Sequence, residues 1–540
     1  MKVTEAIATS LKAEGVEHVF CYPYNPIIEA VAAADIRPIV VRQERTAVHM
    51  ADALSRTTSG DDVGVVCLQY GPGTENAFGG VAQAYADSVP LVVLPAGFSR
   101  DQTDVQPRFN ATHNYREITK SCEQVTVPEE TPSAIRRAFS QATNGRPRPA
   151  LVEFPGDIIE AEIDTKPSFD TATRSRPGPD VREIQSVVNV LETADRPVIY
   201  AGQGVHYAQA WPELRELAER LAAPVCTSIQ GKSAFPETHE LALGTGGKSM
   251  PKTVRHFLDE ADVIFGIGCS FSRTSFGVTI PTDDNTIIHS TLDPADIDKD
   301  IVCDHALVGD AKLVLDSILS SMSIDEQDRS SVVAEINRVY DEWFAEWEPK
   351  LTSDAVPMTP YRVINDLQQT VDVENTIITH DSGSPRDQLV PFWKAVEPMS
   401  YIGWGKSTQL GYGLGLAMGA KIAHPDKLCI NVWGDAAIGM TGMDFETAVR
   451  EEIPILSILF NNFSMAVELP KMQVSTEKYR TTDISGNYAD MATAFGGYGE
   501  RVEQPDEIVS AIERGIEQVE DGTPALLEFL TSKEIDYSIL

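Results

Sequence analysis

Short apolar, β-branched runs alternate with helical patterns along the whole chain. The clearest runs are Val63–Leu68, Leu91–Leu94, Pro197–Tyr200, Val263–Ile267, Cys429–Trp433 and Ile455–Leu459. Alternation of this kind predicts parallel sheets covered by helices on both faces, because parallel strands need crossover helices. The predicted fold class is therefore α/β, built from doubly wound parallel-sheet domains.

Two polar stretches that contain proline, residues 165–180 and 351–360, divide the chain into three segments of domain size. We predict domains at residues 1–165, 180–325 and 355–540. A weak repeat links the outer two, since each contains a strand, a glycine turn, a helix, a turn with proline and a second strand. We therefore expect the first and third domains to share a fold.

The net charge of the chain argues against some classes of binding partner. The 80 acidic and 44 basic residues give a formal net charge of -36, which repels phosphate backbones and argues against nucleic acid as a partner. The acidic residues are spread along the chain with few lysines, which is typical of a halophile's cytoplasm. No stretch approaches the roughly 18 apolar residues of a membrane span, and Met1–Gly15 predicts an amphipathic helix rather than a signal peptide. We expect a cytoplasmic protein that does not bind membranes.

Metal or disulfide chemistry at cysteine is not indicated. The 7 cysteines include no CxxC pair, so neither a zinc site nor a disulfide framework is expected.

The most informative residues are Gly434-Asp435-Ala436 and Asn461-Asn462, each at the end of a predicted strand. A right-handed βαβ unit brings two such strand ends to one edge of the sheet, where α/β proteins bind ligands. Carboxylate and amide oxygens suit Mg²⁺, which keeps coordination positions for phosphates. The small residues Ala436 and Ala437 allow backbone N–H groups to approach the same phosphates. From these residues alone, two ordinary turns without a metal stay possible.

The order and spacing of these two turns resemble the thiamine diphosphate motif of the superfamily of acetolactate synthase, pyruvate oxidase and benzoylformate decarboxylase. The resemblance implies that Asp435, Asn462 and the backbone carbonyl of Ser464 are ligands of Mg²⁺. It also implies that Gly434 and Met465 lie beside the cofactor. The three domains would be a pyrimidine-binding, a central and a diphosphate-binding domain in that order.

A second motif supports the resemblance. Glu44 begins the pattern E-x-x-A-x-x-M-A-D, with Met50 and Asp52 in register. A glutamate at a helix start is by itself typical of a solvated charge. In the family, the matching glutamate hydrogen-bonds N1′ of the aminopyrimidine and promotes loss of the thiazolium C2 proton, so the resemblance implies that Glu44 is catalytic.

Two glycine-rich stretches complete the resemblance. In one, Leu410 matches the bulky residue that holds the cofactor in its bent shape, and the carbonyl of Thr408 would accept from the 4′-amino group. In the other, Gly73 and Asn76 belong to G-P-G-x-x-N, which closes over the pyrimidine. Read without the resemblance, the stretches are a helix start and a strand-to-helix turn.

Departures from the family concentrate where substrates bind. The diphosphate-contacting G-Q-H is replaced by Gly383-Ser384-Pro385, so we assign the positive charge at this place to Arg386. The flavin-lining pattern G-A-R-F-D-D-R is replaced by residues 268–274, which leaves the binding of FAD open. His113 is a candidate proton shuttle, although a surface histidine explains it equally well.

The leading hypothesis is a thiamine diphosphate- and Mg²⁺-dependent enzyme that resembles the large catalytic subunit of acetolactate synthase. It would decarboxylate a 2-keto acid such as pyruvate and transfer the carbanion to an acceptor carbonyl. The alternatives are a related C–C lyase acting on oxalyl-CoA or a 2-hydroxyacyl-CoA, and a cofactor-binding paralogue without turnover, which the presence of Glu44 disfavours. The resemblance further implies a homodimer or homotetramer, with the cofactor between the first domain of one subunit and the third domain of another.

Overall fold

A computed structural model describes residues 1–24, 26–103, 105–164 and 168–539. The α/β prediction is confirmed: the described residues form three six-stranded sheets whose strands pair in parallel, with helices on both faces. Residues 165 and 540, which end the first and third predicted domains, lie outside the described residues. The predicted domain bounds stay predictions.

The first sheet has the strand order β2-β1-β3-β4-β6-β5. Its strands are β1 (His18–Cys21), β2 (Arg37–Val40), β3 (Gly64–Leu68), β4 (Leu91–Gly97), β5 (Ser121–Gln124) and β6 (Ala150–Pro155). The helices are α1 (Val3–Ala13), α2 (Ile27–Ala33), α3 (Glu44–Thr57), α4 (Pro72–Ala86), α5 (Ala111–Asn114), α6 (Thr131–Thr143) and α7 (Gly156–Ile159). The helix predicted at the start of the chain is confirmed as α1.

The central sheet has the order β12-β11-β10-β7-β8-β9. Its strands are β7 (Pro197–Ala201), β8 (Val225–Ser228), β9 (Ala242–Gly246), β10 (Val263–Ile267), β11 (Thr286–Thr291) and β12 (His305–Val308). The helices are α8 (Val181–Thr193), α9 (Gly204–Ala208), α10 (Trp211–Leu221), α11 (Lys252–Glu260) and α12 (Ala311–Ser321). A long helix, α13 (Ser330–Leu351), leads to the third domain.

The third sheet has the order β14-β13-β15-β16-β18-β17, which repeats the first sheet strand for strand and confirms the predicted repeat. Its strands are β13 (Thr376–His380), β14 (Tyr401–Ile402), β15 (Leu428–Gly434), β16 (Leu456–Asn461), β17 (Tyr498–Val502) and β18 (Ala525–Leu530). The helices are α14 (Pro360–Thr370), α15 (Ser384–Phe392), α16 (Tyr412–Ala423), α17 (Asp435–Thr441), α18 (Phe445–Arg450), α19 (Gln473–Tyr479), α20 (Tyr488–Ala494) and α21 (Ile508–Glu520).

The first and third domains of the chain meet where α3 crosses α16, and one apolar cluster includes residues of both. The crossing is close because α16 carries glycines. A Cβ on Gly415 would lie 2.4 Å from Cβ of His49, and one on Gly419 would lie 2.1 Å from the carbonyl oxygen of Met50. Since α3 begins at Glu44 and α16 begins just after Leu410, this contact fixes the relative positions of two candidate site residues.

Among the described residues, no helix is both long and apolar enough to cross a membrane.

Candidate active site

The candidate site lies at the carboxyl edge of the third sheet, between the neighbouring strands β13 and β15. The helix after β13, α15, packs into one apolar cluster, and the helix after β15, α17, packs into another. Chain connections that leave adjacent strands toward opposite faces open a crevice at the sheet edge. The two turns meet there, because a Cβ on Gly434 would lie 3.7 Å from Cγ of Pro385. Both helices therefore begin at one crevice.

Asp435 stands at the centre of this crevice with 3% of its surface exposed. Its Oδ2 accepts a hydrogen bond from the backbone N–H of Ser464 at 3.0 Å. Burial raises the pKa of the Asp435 carboxyl to about 6, while backbone N–H groups of the 462–464 turn act in the opposite direction. The predicted convergence of the Gly-Asp turn and the Asn-Asn turn is confirmed, because the second turn wraps around this carboxylate.

Two oxygens of the second turn are unpaired. The Oδ1 of Asn462 and the Oγ of Ser464 are buried, and neither has a hydrogen-bond partner within the described residues. Phe463, between them, has a φ of 55°, which is unusual and costly for a residue with a bulky side chain. A buried oxygen without a partner calls for an explanation, and oxygen donors beside a carboxylate suit a hard divalent cation. Asp435 and Asn462 therefore fit Mg²⁺; ligation by the Ser464 carbonyl stays a prediction.

Glu528 on β18 supports this turn and was missed at the level of sequence. It is fully buried, and its Oε1 accepts from the side-chain amide of Asn461 at 2.6 Å and from Arg501 at 2.9 Å. Its Oε2 accepts from the backbone N–H of Tyr488 at 3.0 Å. The hydroxyl of Tyr488 in turn donates to the backbone carbonyl of Asp435 at 3.3 Å. The only sequence signal was a glutamate inside the apolar strand ALLEFL.

The loop 403–411, which carries Thr408 and Leu410, is hydrogen-bonded to residues that follow β13 of the third sheet. The carbonyl of Thr408 accepts from Oγ of Ser382 at 3.2 Å. Asp381, at the end of β13, accepts from the backbone N–H groups of Gly411 and Gly413, each at 3.0 Å. Burial raises the pKa of Asp381 to about 6. Leu410 is half-buried against the apolar cluster that the first and third domains share.

Side chains of the first domain also form hydrogen bonds with this loop. The buried carboxylate of Asp87, which follows α4, accepts from the backbone N–H groups of Gly405 at 3.4 Å and Lys406 at 3.1 Å. Gln83 accepts from the backbone N–H of Gln409 at 3.3 Å. Arg56 donates to the carbonyl of Gly403 at 2.9 Å. The position of Thr408 and Leu410 therefore depends on the first domain as well as the third.

Glu44 is buried at the start of α3, with 5% of its surface exposed. The side-chain amide of Asn76 donates to its Oε2 at 3.1 Å. A Cβ on Gly73 would lie 3.0 Å from its Oε1, so glycine keeps the carboxylate accessible there. The structure thus brings together Glu44, Gly73 and Asn76 as predicted. In the described residues, no hydrogen bond connects Glu44 to the third domain.

Most of the remaining predicted residues lie at the crevice or next to it, whereas Arg386 is buried. Ala436 and Ala437 form the start of α17 at the crevice, and the backbone N–H of Met465 donates to Thr482 at 2.8 Å just beyond the wrapped turn. Arg386 is buried instead, with its Nε donating to Asp387 at 2.8 Å and its guanidinium 3.9 Å from the ring centre of Phe276. Its proposed contact with a diphosphate stays a prediction.

His113 is exposed on α5, where its backbone N–H donates to Asn110 at 2.8 Å. Its imidazole has no hydrogen-bond partner among the described residues. A catalytic contribution of His113 also stays a prediction.

A cavity of about 590 Å³ is lined by residues 268–274 of the central domain, the stretch that replaces the flavin-lining pattern, and by first-domain residues that include Ser88 and Arg146. Lys406 reaches it from the loop that carries Thr408 and donates to Oγ of Ser270 at 2.8 Å. Burial lowers the pKa of the Lys406 ammonium group to about 8. The cavity borders the loop that carries Thr408, and it leaves the binding of FAD open.

Comparison with known families agrees with this geometry. Residues 1–121 match the model of the thiamine pyrophosphate enzyme N-terminal TPP binding domain, residues 184–318 the central domain, and residues 381–529 the C-terminal TPP binding domain. The chain therefore belongs to the thiamine pyrophosphate enzyme family.

Within that family, the chain is similar over nearly its whole length to large subunits of acetolactate synthase. It is 32% identical to the probable acetolactate synthase large subunit of Methanocaldococcus jannaschii, over 96% of this chain and 90% of that one. It is 30% identical to the acetolactate synthase isozyme 3 large subunit of Escherichia coli, over 96% of this chain and 92% of the relative. The chain is thus a thiamine pyrophosphate-dependent enzyme of the acetolactate synthase-like kind, and the resemblance inferred from the motifs is confirmed.

Proposed function

We propose that the protein uses thiamine diphosphate and Mg²⁺ to decarboxylate a 2-keto acid such as pyruvate and to join the remaining carbon unit to an acceptor carbonyl. The observation that carries the proposal is the carboxylate of Asp435 beside the unpaired oxygens of Asn462 and Ser464, at an edge where two helices begin. The names of the relatives support the reaction type. Bound thiamine diphosphate would supply a nucleophilic carbon for the keto carbonyl and an acceptor for the electron pair released with carbon dioxide.

The residues of the chain would divide the work of holding that cofactor. Asp435 and Asn462 would hold Mg²⁺, and the backbone N–H groups at the starts of α15 and α17 would bind the diphosphate oxygens. Leu410 would support the cofactor from below. Glu44, whose side chain is buried, would hold a proton at the N1′ atom of the pyrimidine.

The direct test is to incubate the purified protein with thiamine diphosphate, Mg²⁺ and a panel of 2-keto acids in molar salt, and to measure carbon dioxide and products. We expect carbon dioxide together with a condensed product from pyruvate, and neither when Mg²⁺ is chelated. If no keto acid releases carbon dioxide but oxalyl-CoA or a 2-hydroxyacyl-CoA is cleaved, the lyase alternative replaces this proposal. The visible absorbance of the purified protein tests for bound FAD in the same preparation.

We also propose that the active unit is at least a homodimer, with the cofactor between the first domain of one subunit and the third domain of another. Large apolar side chains are exposed beside both halves of the candidate site, with 37% of Phe78 exposed near Asn76 and 39% of Phe463 exposed next to Asn462. Exposed apolar groups at such places are typical of surfaces that another subunit covers.

Sedimentation of the protein in molar salt, combined with an activity assay, tests the assembly. We expect dimers or tetramers in molar salt and weaker assembly in low salt, where the net charge of -36 is unscreened. An active monomer would contradict the shared site, and assembly that is indifferent to salt would contradict the halophilic interpretation of the charge.

A further inference from the structure

The side chains in the first turn of α15 offer few groups that can bind an anion. The turn begins at one wall of the crevice, where Pro385 lies beside the Gly434 turn. Pro385 has no N–H to donate, while the Nε of Arg386 donates to Asp387 and its guanidinium lies over the ring of Phe276. Within residues 383–386, Ser384 carries the only uncharged polar side chain, and its hydroxyl is the group that we consider for a ligand in the crevice.

A residue from the end of the chain contacts this hydroxyl. After β18 the chain continues along the carboxyl edge of the sheet, and Oη of Tyr537 lies 2.8 Å from Oγ of Ser384. The same phenol can donate to the carbonyl of Glu534 at 3.4 Å. Burial raises the pKa of Tyr537 to about 12, so the phenol keeps its proton at neutral pH. Tyr537 can therefore serve as donor or acceptor toward Ser384.

Two hydroxyl groups that share one hydrogen bond have one proton between them and one proton free. When Tyr537 donates to Ser384, the Ser384 proton is free to point away from the phenol. An anion beside Ser384 favours this arrangement, because a hydrogen bond to a charged oxygen is stronger than one to a neutral oxygen. The buried and unpaired Oγ of Ser464 on the Asp435 side of the crevice is an independent sign that a ligand belongs there.

We propose that Tyr537 is a positioning residue that orients the Ser384 hydroxyl to donate a hydrogen bond to the cofactor's diphosphate. This inference rests on the proposed function, and it gives the diphosphate a side-chain contact in the turn at residues 383–386. The diphosphate site would thus be completed by the tail of the chain.

The tail of the chain, by which we mean residues 531–539 after β18, offers a matched control. Its position does not depend on the Tyr537 hydroxyl alone, since Trp343 donates to Oγ of Ser538 at 2.8 Å and Tyr361 donates to the carbonyl of Asp536 at 2.6 Å. Tyr361→Phe removes one phenol bond to the tail, as Tyr537→Phe does, but away from Ser384. A purely structural effect of losing a tail contact would appear in both variants.

The experiment measures the binding of thiamine diphosphate, and separately of inorganic pyrophosphate, in the presence of Mg²⁺ by titration calorimetry. We expect Tyr537→Phe to weaken both ligands about fivefold and Ser384→Ala to weaken them about tenfold or more, as expected for hydrogen bonds of these two kinds. The double variant should bind no more weakly than Ser384→Ala, because Tyr537 acts through Ser384. Melting temperatures without ligand should match the wild type, and Tyr361→Phe should bind normally.

The outcomes separate this inference from the proposed function. Equal affinities in wild type and Tyr537→Phe, additive losses in the double variant, or the same loss in Tyr361→Phe would each overturn the inference while leaving the proposed function in place. If the wild type binds pyrophosphate but not thiamine diphosphate, the proposed function fails and the variants still decide the inference through pyrophosphate. Binding of neither ligand would overturn both.

Discussion

Replacing Glu44 with glutamine should slow exchange of the cofactor's C2 proton by about 10²–10⁴-fold, the usual contribution of a general acid-base group. Glutamine keeps the shape of the side chain and can still pair with Asn76, which donates to Oε2 of Glu44 in the wild type. It cannot share an ionisable proton with N1′ of the pyrimidine. Thiamine diphosphate should therefore bind within several-fold of the wild type while C2 exchange, followed by quenched-flow NMR, becomes slow.

Glu75→Gln is the matched control for this prediction. Glu75 precedes Asn76 on the same helix and has the same charge, but its side chain is exposed. The Glu75→Gln variant should exchange the C2 proton of the cofactor at the wild-type rate. If Glu44→Gln also exchanges at that rate, Glu44 has no part in proton transfer and its burial beside Gly73 and Asn76 is structural.

Sequence patterns were sufficient for the fold and for the centre of the site. β-branched runs located the strands, with differences of one to three residues at their ends: β15 extends to Gly434 and β16 to Asn461, because their ladders with the neighbouring strands continue that far. The convergence of Asp435 with the Asn462 turn followed from the handedness of one βαβ unit. These features are local or governed by general rules of chain connection, so one sequence reveals them.

Contacts between distant parts of the chain could not be predicted in this way. Asp87 holds the loop of Thr408 from a position in the first domain, and Tyr537 reaches Ser384 from the last residues of the chain. Neither residue belongs to a motif. The contact between the guanidinium of Arg386 and the ring of Phe276 in the central domain could not be predicted either, because it joins two domains.

The role of Glu528 could be predicted from the sequence only in part. Its sequence signal, one carboxylate in an apolar strand, indicates that the residue has buried partners but does not identify them. The structure supplies Asn461, Arg501 and the start of α20. The side chains that orient a candidate site are thus harder to predict than the side chains that compose it, because their partners are set by packing.

Asp435→Ala should abolish Mg²⁺-dependent retention of the cofactor, with an affinity loss of at least about 100-fold. Losing residues that merely support metal ligands typically costs 10–100-fold, and among the described residues Asp435 is the one carboxylate side chain with a hydrogen bond to the 462–464 turn. Without it, the diphosphate has no charge bridge to the protein. Titration calorimetry with thiamine diphosphate, with and without Mg²⁺, measures the loss.

Two further variants separate metal binding from folding. Asp435→Asn keeps an oxygen that can accept from the backbone N–H of Ser464, so the turn should persist while the charge that attracts Mg²⁺ is gone; its cofactor affinity should also fall, and addition of Mg²⁺ should no longer raise it. Asp426→Ala removes an exposed carboxylate of the same domain and should leave binding unchanged. Wild-type affinity in both Asp435 variants would mean that Asp435 does not hold the metal and that the unpaired oxygens of Asn462 and Ser464 have another partner.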